Sequence, residues 1–242
     1  MNILAVIPAR YASQRFPGKP LVKIGYRPMV QRVYEAALGC PDFAKVLVAT
    51  DDDRIADCVR QFGGAVEMTH SGHETGTDRV AEVAERYPEM DVVVNVQGDQ
   101  PFVTPAMLSQ LVSPYLQGEK PPMATLACSL EFESGYADPN TVKVLCDQAG
   151  DALYFSRSPI PYRRNAGNAL PVYHHLGLYA FERSFLAQYA QLAATPLEQC
   201  EDLEQLRVLE HGFKIRVSLT EQAVLEINTP EDLAKANYLQ PI

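Results

Sequence analysis

The chain predicts an α/β fold, a mostly parallel, Rossmann-like sheet with an antiparallel insertion. Three observations carry this. Through the first half, short apolar runs alternate with segments of helical period. Residues 3–7 are apolar without interruption, as expected for a strand covered on both faces. Between about 123 and 181, strand-like runs follow one another without long helices, which suits antiparallel pairing.

The elements follow in order. Residues 28–38 place Met29, Val33 and Ala36, then Val30, Tyr34 and Ala37, at helical spacing. Residues 45–49 form a second strand. Asp51, Asp52 and Asp53 offer a cap for the next helix, whose inward face is Ile55, Val59 and Phe62. Gly63 and Gly64 stop it. A short strand at 65–68 precedes a helix at 77–87 with Val80, Val83, Ala84 and Tyr87 inward, then the strand 92–96. Thr104 and Pro105 open a further helix as cap and first-turn proline. This β-α repeat calls for right-handed crossovers in a parallel sheet. In the second half, 123–128, 141–145, 152–155, 172–181 and 213–219 read as strands, and 183–192 and 202–210 as helices. Thr229 and Pro230 start the last helix. With no internal repeat and no linker, residues 1–242 read as one domain, with the insertion at about 123–181.

Composition narrows the function. The chain has 242 residues, 47% of them hydrophobic, and a formal charge of −9. An acidic total excludes a duplex nucleic-acid binder that uses a whole face. No apolar stretch approaches a membrane span, and the N-terminal run ends at Pro8, too early for a signal segment. The five cysteines show no CxxC spacing and an odd count, which fits reduced thiols in a cytoplasmic protein. No G-x-S-x-G occurs, and no cysteine has a histidine close in sequence, so nucleophilic catalysis lacks support. His70 and His73 read as loop histidines rather than zinc ligands. His174 and His175 share a strand, so their rings point to opposite faces.

Ligands of open α/β sheets bind beyond the carboxyl ends of the strands. Three such ends carry polar residues. Residues 1–34 contain Arg10, Arg15, Lys19, Lys23, Arg27 and Arg32 and no acid, a local cationic patch suited to a polyphosphate or carboxylate. It is not a P-loop, since Lys19 precedes Pro20 and the glycine spacing fails. Asp99 follows an apolar strand and Gly98, a place suited to Mg²⁺, which takes a carboxylate together with phosphate oxygens. Asn228 lies just outside the cap at Thr229 and offers an amide oxygen to a metal.

These residues sit in longer motifs: IPARYASQRFPGKPL (7–21), VATDD (48–52), SGHETGTDR (71–79), NVQGDQP (95–101), ALYFSRSPIP (152–161), HLGLYAF (175–181), LEQLRVLEHG (203–212) and NTPEDL (228–233). With them the sequence resembles the 3-deoxy-manno-octulosonate (KDO) cytidylyltransferases along nearly its whole length. The resemblance implies the nucleotide-diphospho-sugar transferase fold and the reaction CTP + KDO → CMP-KDO + pyrophosphate, in lipopolysaccharide or capsule synthesis. It implies Arg10 and Lys19 on the triphosphate, with Arg15 in the same loop. Thr77 and Arg79 belong to a segment near the nucleotide, Asp99 binds Mg²⁺, and Gln97 lies near the sugar. Arg157, His175, Tyr179, Glu204 and Gln205 match positions lining the sugar-acid pocket, with Arg157 expected to pair with the sugar carboxylate as a two-pronged fork. A cytoplasmic homodimer with the insertion at its interface is also implied.

Two departures stand out. Family members usually read G-D-E-P where this chain has Gly98-Asp99-Gln100-Pro101, and D-x-P-E-D-L where it has Asn228. An amide oxygen is a neutral, weaker ligand for Mg²⁺ than a carboxylate. Glu226 is the acid two residues away that would restore charge. The residues leave open a cytidylyltransferase for an amino-substituted KDO analogue and a non-catalytic CTP-binding protein.

Overall fold

The computed structural model describes residues 1–12, 16–130, 135–165, 172–221 and 223–239. The chain divides into two compact units, one of Met1–Ser109 with Val224–Ile242 and one of Gln110–Ala223.

The strands of the first unit are β1 (Ile3–Pro8), the short pair β2 (Lys23–Ile24) and β3 (Arg27–Pro28), β4 (Lys45–Thr50), β5 (Val66–Met68) and β6 (Val92–Asn95). β6, β1, β4 and β5 lie side by side in that order, every pairing parallel. Ile3, Leu4, Ala5, Val6 and Ile7 are wholly buried, which is why the run carries no polar residue. The chain leaves β1 on one side for β4 and β5 and returns on the other for β6. The strand order therefore reverses between β1 and β6, and their carboxyl ends border the crevice in which such sheets bind ligands.

Local chemistry fixes the helices. Met29–Leu38 buries Met29, Val30, Val33, Tyr34 and Ala37. Asp52 caps Asp53–Gln61 by accepting from Arg54 N at 3.0 Å. Phe62 falls just past that helix and packs its ring on Tyr34. Gly76–Glu85 begins one residue before the expected start, because Thr75 and Asp78 close a capping box with two 3.1 Å bonds. The last helix, Pro230–Leu239, folds back onto this unit. Ile227 and Ala236 join Ile24 and Met29 in a buried cluster flanked by Phe16, Val22, Phe102, Leu225 and Leu233. Ile227 N donates to the Asp99 carbonyl at 2.9 Å, and Gly25 N to Asn237 Oδ1 at 2.8 Å.

The second unit holds β7 (Met123–Ser129), β8 (Lys143–Cys146), β9 (Ala152–Ser156), β10 (Tyr173–Glu182) and β11 (Ile215–Thr220). β10 runs antiparallel to β7 and to β8, β9 antiparallel to β8, and β11 parallel to β7. The antiparallel strand pairs of this unit thus fall in the expected stretch, while the short pair β2 and β3 is antiparallel outside it. The helix expected at 202–210 is present as Gln205–Glu210, and a further helix, Pro196–Glu201, precedes it. Asp202 takes a left-handed conformation, φ +53°, and ends that earlier helix. The start at Thr195, with Pro196 in the first turn and Glu198 Oε2 accepting from Thr195 N, was legible in sequence but missed.

Leu4 has no solvent exposure at the centre of β1. Leu4→Ala is expected to destabilise the protein by about 2–5 kcal/mol in urea denaturation, through the cavity it leaves.

Candidate active site

A cavity of about 170 Å³ opens at the carboxyl ends of β1 and β6. Its wall is Pro8, Ala9 and Arg10 after β1, Lys19 and Pro20 from the following loop, and Gln97, Gly98 and Asp99 after β6. His73, Thr75, Gly76 and Arg79 complete it from the helix Gly76–Glu85 and its lead-in. Two glycines make this convergence possible. A Cβ on Gly98 would stand 2.9 Å from the Pro8 carbonyl oxygen, so only glycine lets the loop after β6 approach β1. Gly18 holds φ +72° against the Tyr11 ring and donates to the Tyr11 carbonyl at 2.9 Å, turning the chain so that Lys19 faces the cavity. Tyr11 is itself covered by the Arg54 guanidinium, 3.3 Å from its ring centre.

Lys19 Nζ lies 2.8 Å from Asp99 Oδ2 and 3.3 Å from Asn228 Oδ1. The Lys19 and Asp99 side chains are 16% and 26% exposed, so the pair is shielded but reachable. Asn228 Nδ2 donates to Glu226 Oε2 at 3.2 Å, and its main-chain N to Asp232 Oδ2 at 3.0 Å. Gln100 Nε2 donates to the other Glu226 oxygen at 3.1 Å. Arg79 is buried, held by Asp51 Oδ1 at 3.1 Å and by the Thr69 hydroxyl. Burial lowers its pKa and Asp51 opposes that shift. Arg10 is exposed and reaches the Glu74 carbonyl at 3.4 Å. His73 Nε2 lies 2.5 Å from Glu82 Oε2.

The oxygens of Asp99 and Asn228 already share one cation, the Lys19 ammonium. Among the described residues no group of three or more His, Cys, Asp or Glu side chains is placed to hold a metal. One carboxylate and one amide oxygen fit an ion such as Mg²⁺ that draws its remaining ligands from substrate phosphates and water.

The other expected residues belong to the second unit. His175 is buried, and its bonds define its tautomer. Thr125 Oγ1 donates to the Leu178 carbonyl at 2.7 Å, so towards His175 Nε2, 2.9 Å away, it accepts. The imidazole proton therefore sits on Nε2, and Nδ1 accepts from Gln205 Nε2 at 3.4 Å. Gln205 Oε1 in turn accepts from Tyr179 OH at 3.0 Å. Every donor points the same way, from Tyr179 through Gln205 and His175 to Thr125. Glu204 stands half-buried at the start of the helix Gln205–Glu210. Burial, with the charge of His174 adding to it, pushes the His175 imidazole down to about 3.

Two of the expected residues already have partners of their own. Arg157 uses three of its five N–H donors: Nε donates to the Glu201 carbonyl at 2.7 Å, one terminal nitrogen to Pro139 O at 3.1 Å and the other to Asp202 O at 3.3 Å. It ties three loops together through main-chain oxygens. Thr77 is wholly buried and accepts from Asn95 Nδ2 at 3.1 Å, inside the cavity wall rather than on its surface. Arg15 lies outside the described residues.

A family model for cytidylyltransferases matches residues 4–215. The chain belongs to the cytidylyltransferase family. It is 68% identical to the 3-deoxy-manno-octulosonate cytidylyltransferase of Acaryochloris marina, over 98% of this chain and 96% of that protein. The Synechococcus elongatus protein of the same name is 56% identical over 98% and 97%. A solved structure of CMP:2-keto-3-deoxy-manno-octonic acid synthetase complexed with CTP superposes with a TM-score of 0.94 at 44% identity, covering 99% of this chain and 98% of that one.

Three residues of these contacts, two in the first unit and one in the second, were not picked out from sequence. His73, read as a loop residue, is on the cavity wall. Asp51, read as part of a cap, pairs with Arg79. Thr125 carried no signal beyond its place in a strand. The His175 shift yields a test. Between pH 6.5 and about 3 the unfolded chain binds a proton that the folded chain refuses, so stability falls as pH falls. From this group alone the loss at pH 5 is about 2 kcal/mol relative to pH 7.5. Denaturation at the two pH values should show that the His175→Gln variant lacks this part of the pH dependence.

Proposed function

We propose that this chain transfers the cytidylyl group of CTP to the anomeric hydroxyl of KDO, releasing pyrophosphate and supplying CMP-KDO for lipopolysaccharide or capsule. The observation that carries this is the meeting of Lys19 and Asp99 at 2.8 Å in the strand-end cavity. The relatives' shared name and the CTP complex at 44% identity support it.

Both substrates are anions, so charge is the main barrier to bringing them together. Arg10 and Lys19 take the triphosphate. Lys19 leaves its resting place between Asp99 and Asn228 to do so, which opens those oxygens. The anomeric hydroxyl oxygen attacks the α-phosphorus in line and gives its proton to water as the new P–O bond forms and the bond from the α-phosphorus to the α,β-bridging oxygen breaks. Arg10 and Lys19 neutralise the pyrophosphate as it departs. Asp99 and Asn228 would hold Mg²⁺, which when bound neutralises the triphosphate and eases ionisation of the attacking hydroxyl. Gln97 is assigned to the sugar. His175, Tyr179, Glu204 and Gln205 shape its pocket, with His175 kept neutral. Arg157 supports that pocket through the loops it ties.

The reading extends to a homodimer joined through the insertion, supported by Leu153 and Tyr162, which are 61% and 90% exposed there. It also extends to a cytoplasmic setting, supported by five free thiols. Among the described residues no helix is long and apolar enough to cross a membrane.

Phosphorus NMR of the protein with each of the four nucleoside triphosphates, Mg²⁺, and KDO or its amino analogue is expected to show pyrophosphate only with CTP and KDO. Release with the amino analogue alone would replace the sugar assignment, and no release with any pair would overturn catalysis. Lys19→Ala and Asp99→Ala should each cut turnover by about 100-fold or more while leaving the thermal midpoint near that of the parent. Asn228→Asp should lower the Mg²⁺ concentration giving half-maximal rate. An unchanged titration would place Asn228 outside the metal shell.

A further inference from the structure

We propose that Glu226 is the positioning residue that makes Asn228 a competent metal ligand, by fixing its side-chain amide so that Oδ1 rather than Nδ2 faces the cation position beside Asp99. This rests on the reading that Asp99 and Asn228 hold the divalent ion. The argument begins with the amide itself. A carboxylate presents two equivalent oxygens, whereas a carboxamide of the same shape presents an oxygen at one end and an N–H donor at the other. An asparagine can serve a cation only if something prevents the half-turn that exchanges them.

The structure supplies that constraint. Glu226 Oε2 accepts from Asn228 Nδ2 at 3.2 Å, while Asn228 Oδ1 accepts from Lys19 Nζ at 3.3 Å. The half-turn would set an N–H₂ against the ammonium and an oxygen against the carboxylate, two repulsive contacts in place of two attractive ones. Lys19 enforces the orientation only while it rests there. Once it engages the triphosphate, Glu226 is the residue left holding the amide. Glu226 is in turn held by Gln100 Nε2 at 3.1 Å on its other oxygen. Both of its oxygens thus accept from amide N–H groups, one of them the amide of the ligand itself. The backbone beneath is fixed separately, because Asp232 accepts from the main-chain N of Asn228 and of Thr229, at 3.0 and 2.9 Å. Gln100 and Asn228, the two positions that depart from the family pattern, therefore meet on one carboxylate.

The test measures metal binding without turnover. Mn²⁺ affinity is read by electron paramagnetic resonance in the presence of CTP and the absence of sugar acid. Glu226→Ala is expected to weaken Mn²⁺ binding about 10- to 100-fold, as loss of a ligand's hydrogen-bond partner does elsewhere. In the Asn228→Asp background the same change should alter affinity by less than about twofold, because a carboxylate needs no orienting partner. Glu226→Gln, which meets one of the two amides with an N–H, should show the same pattern in weaker form and serves if the alanine variant does not fold. Parent-like binding by Glu226→Ala, or equal weakening in both backgrounds, would overturn the proposal. Asp99→Asn is the separate control: if it leaves Mn²⁺ binding intact, the metal assignment itself fails, whatever Glu226 does.

Discussion

One ammonium group, Lys19 Nζ, is shared by a carboxylate 80 residues away and an amide oxygen 209 residues away. A cation between two oxygens keeps the carboxylate and the amide from facing each other uncompensated before substrate arrives. On the proposed function, a triphosphate would offer the lysine a stronger anion, and the same movement would free the two oxygens for a divalent ion. The rest of the first unit serves this meeting. The buried β1 places Pro8 and Arg10 at its tip, Gly98 lets the loop after β6 lie against Pro8, and Ile227 seats the last segment beneath Asp99.

The second unit solves a different problem. Its polar groups are buried, and a buried polar group without a partner is costly. The series from Tyr179 to Thr125 meets this by donating in a single direction, which fixes every proton. A histidine in that series cannot take up a proton without reversing a bond, so His175 is a neutral, shaped element and not an acid or base at ordinary pH. Arg157 likewise gives three of its donors to main-chain carbonyl oxygens, those of Glu201, Pro139 and Asp202.

Much of this was legible in the sequence, for identifiable reasons. The strand tips announced themselves because an apolar run followed by Arg10, or by Gly98 and Asp99, has few other uses. The helices of the first half were legible from period and caps, to within a residue or two. What escaped depends on distance in space. Nothing near Glu226 in sequence says that its carboxylate will receive Gln100. His73 and Asp51 looked local because a loop and a helix cap were enough to account for them in sequence, yet their partners are Glu82 and Arg79. The helix expected at 202–210 starts three residues late for a conformational reason: Asp202, in the left-handed region, ends the preceding helix, which periodicity alone does not show. The ties of Arg157 to three carbonyls were not foreseen, because sequence shows a side chain's reach and charge but not which neighbours take its donors.

The first unit is discontinuous, built from the two ends of the chain. Its cationic loop and Asp99 belong to one stretch of sequence and Asn228 and Glu226 to another, with the whole of the second unit between them. A chain cut within that intervening unit would therefore keep the Asn228 oxygen beside Asp99 only through packing and hydrogen bonds, chiefly the cluster around Ile227 and the bond from Ile227 N to the Asp99 carbonyl.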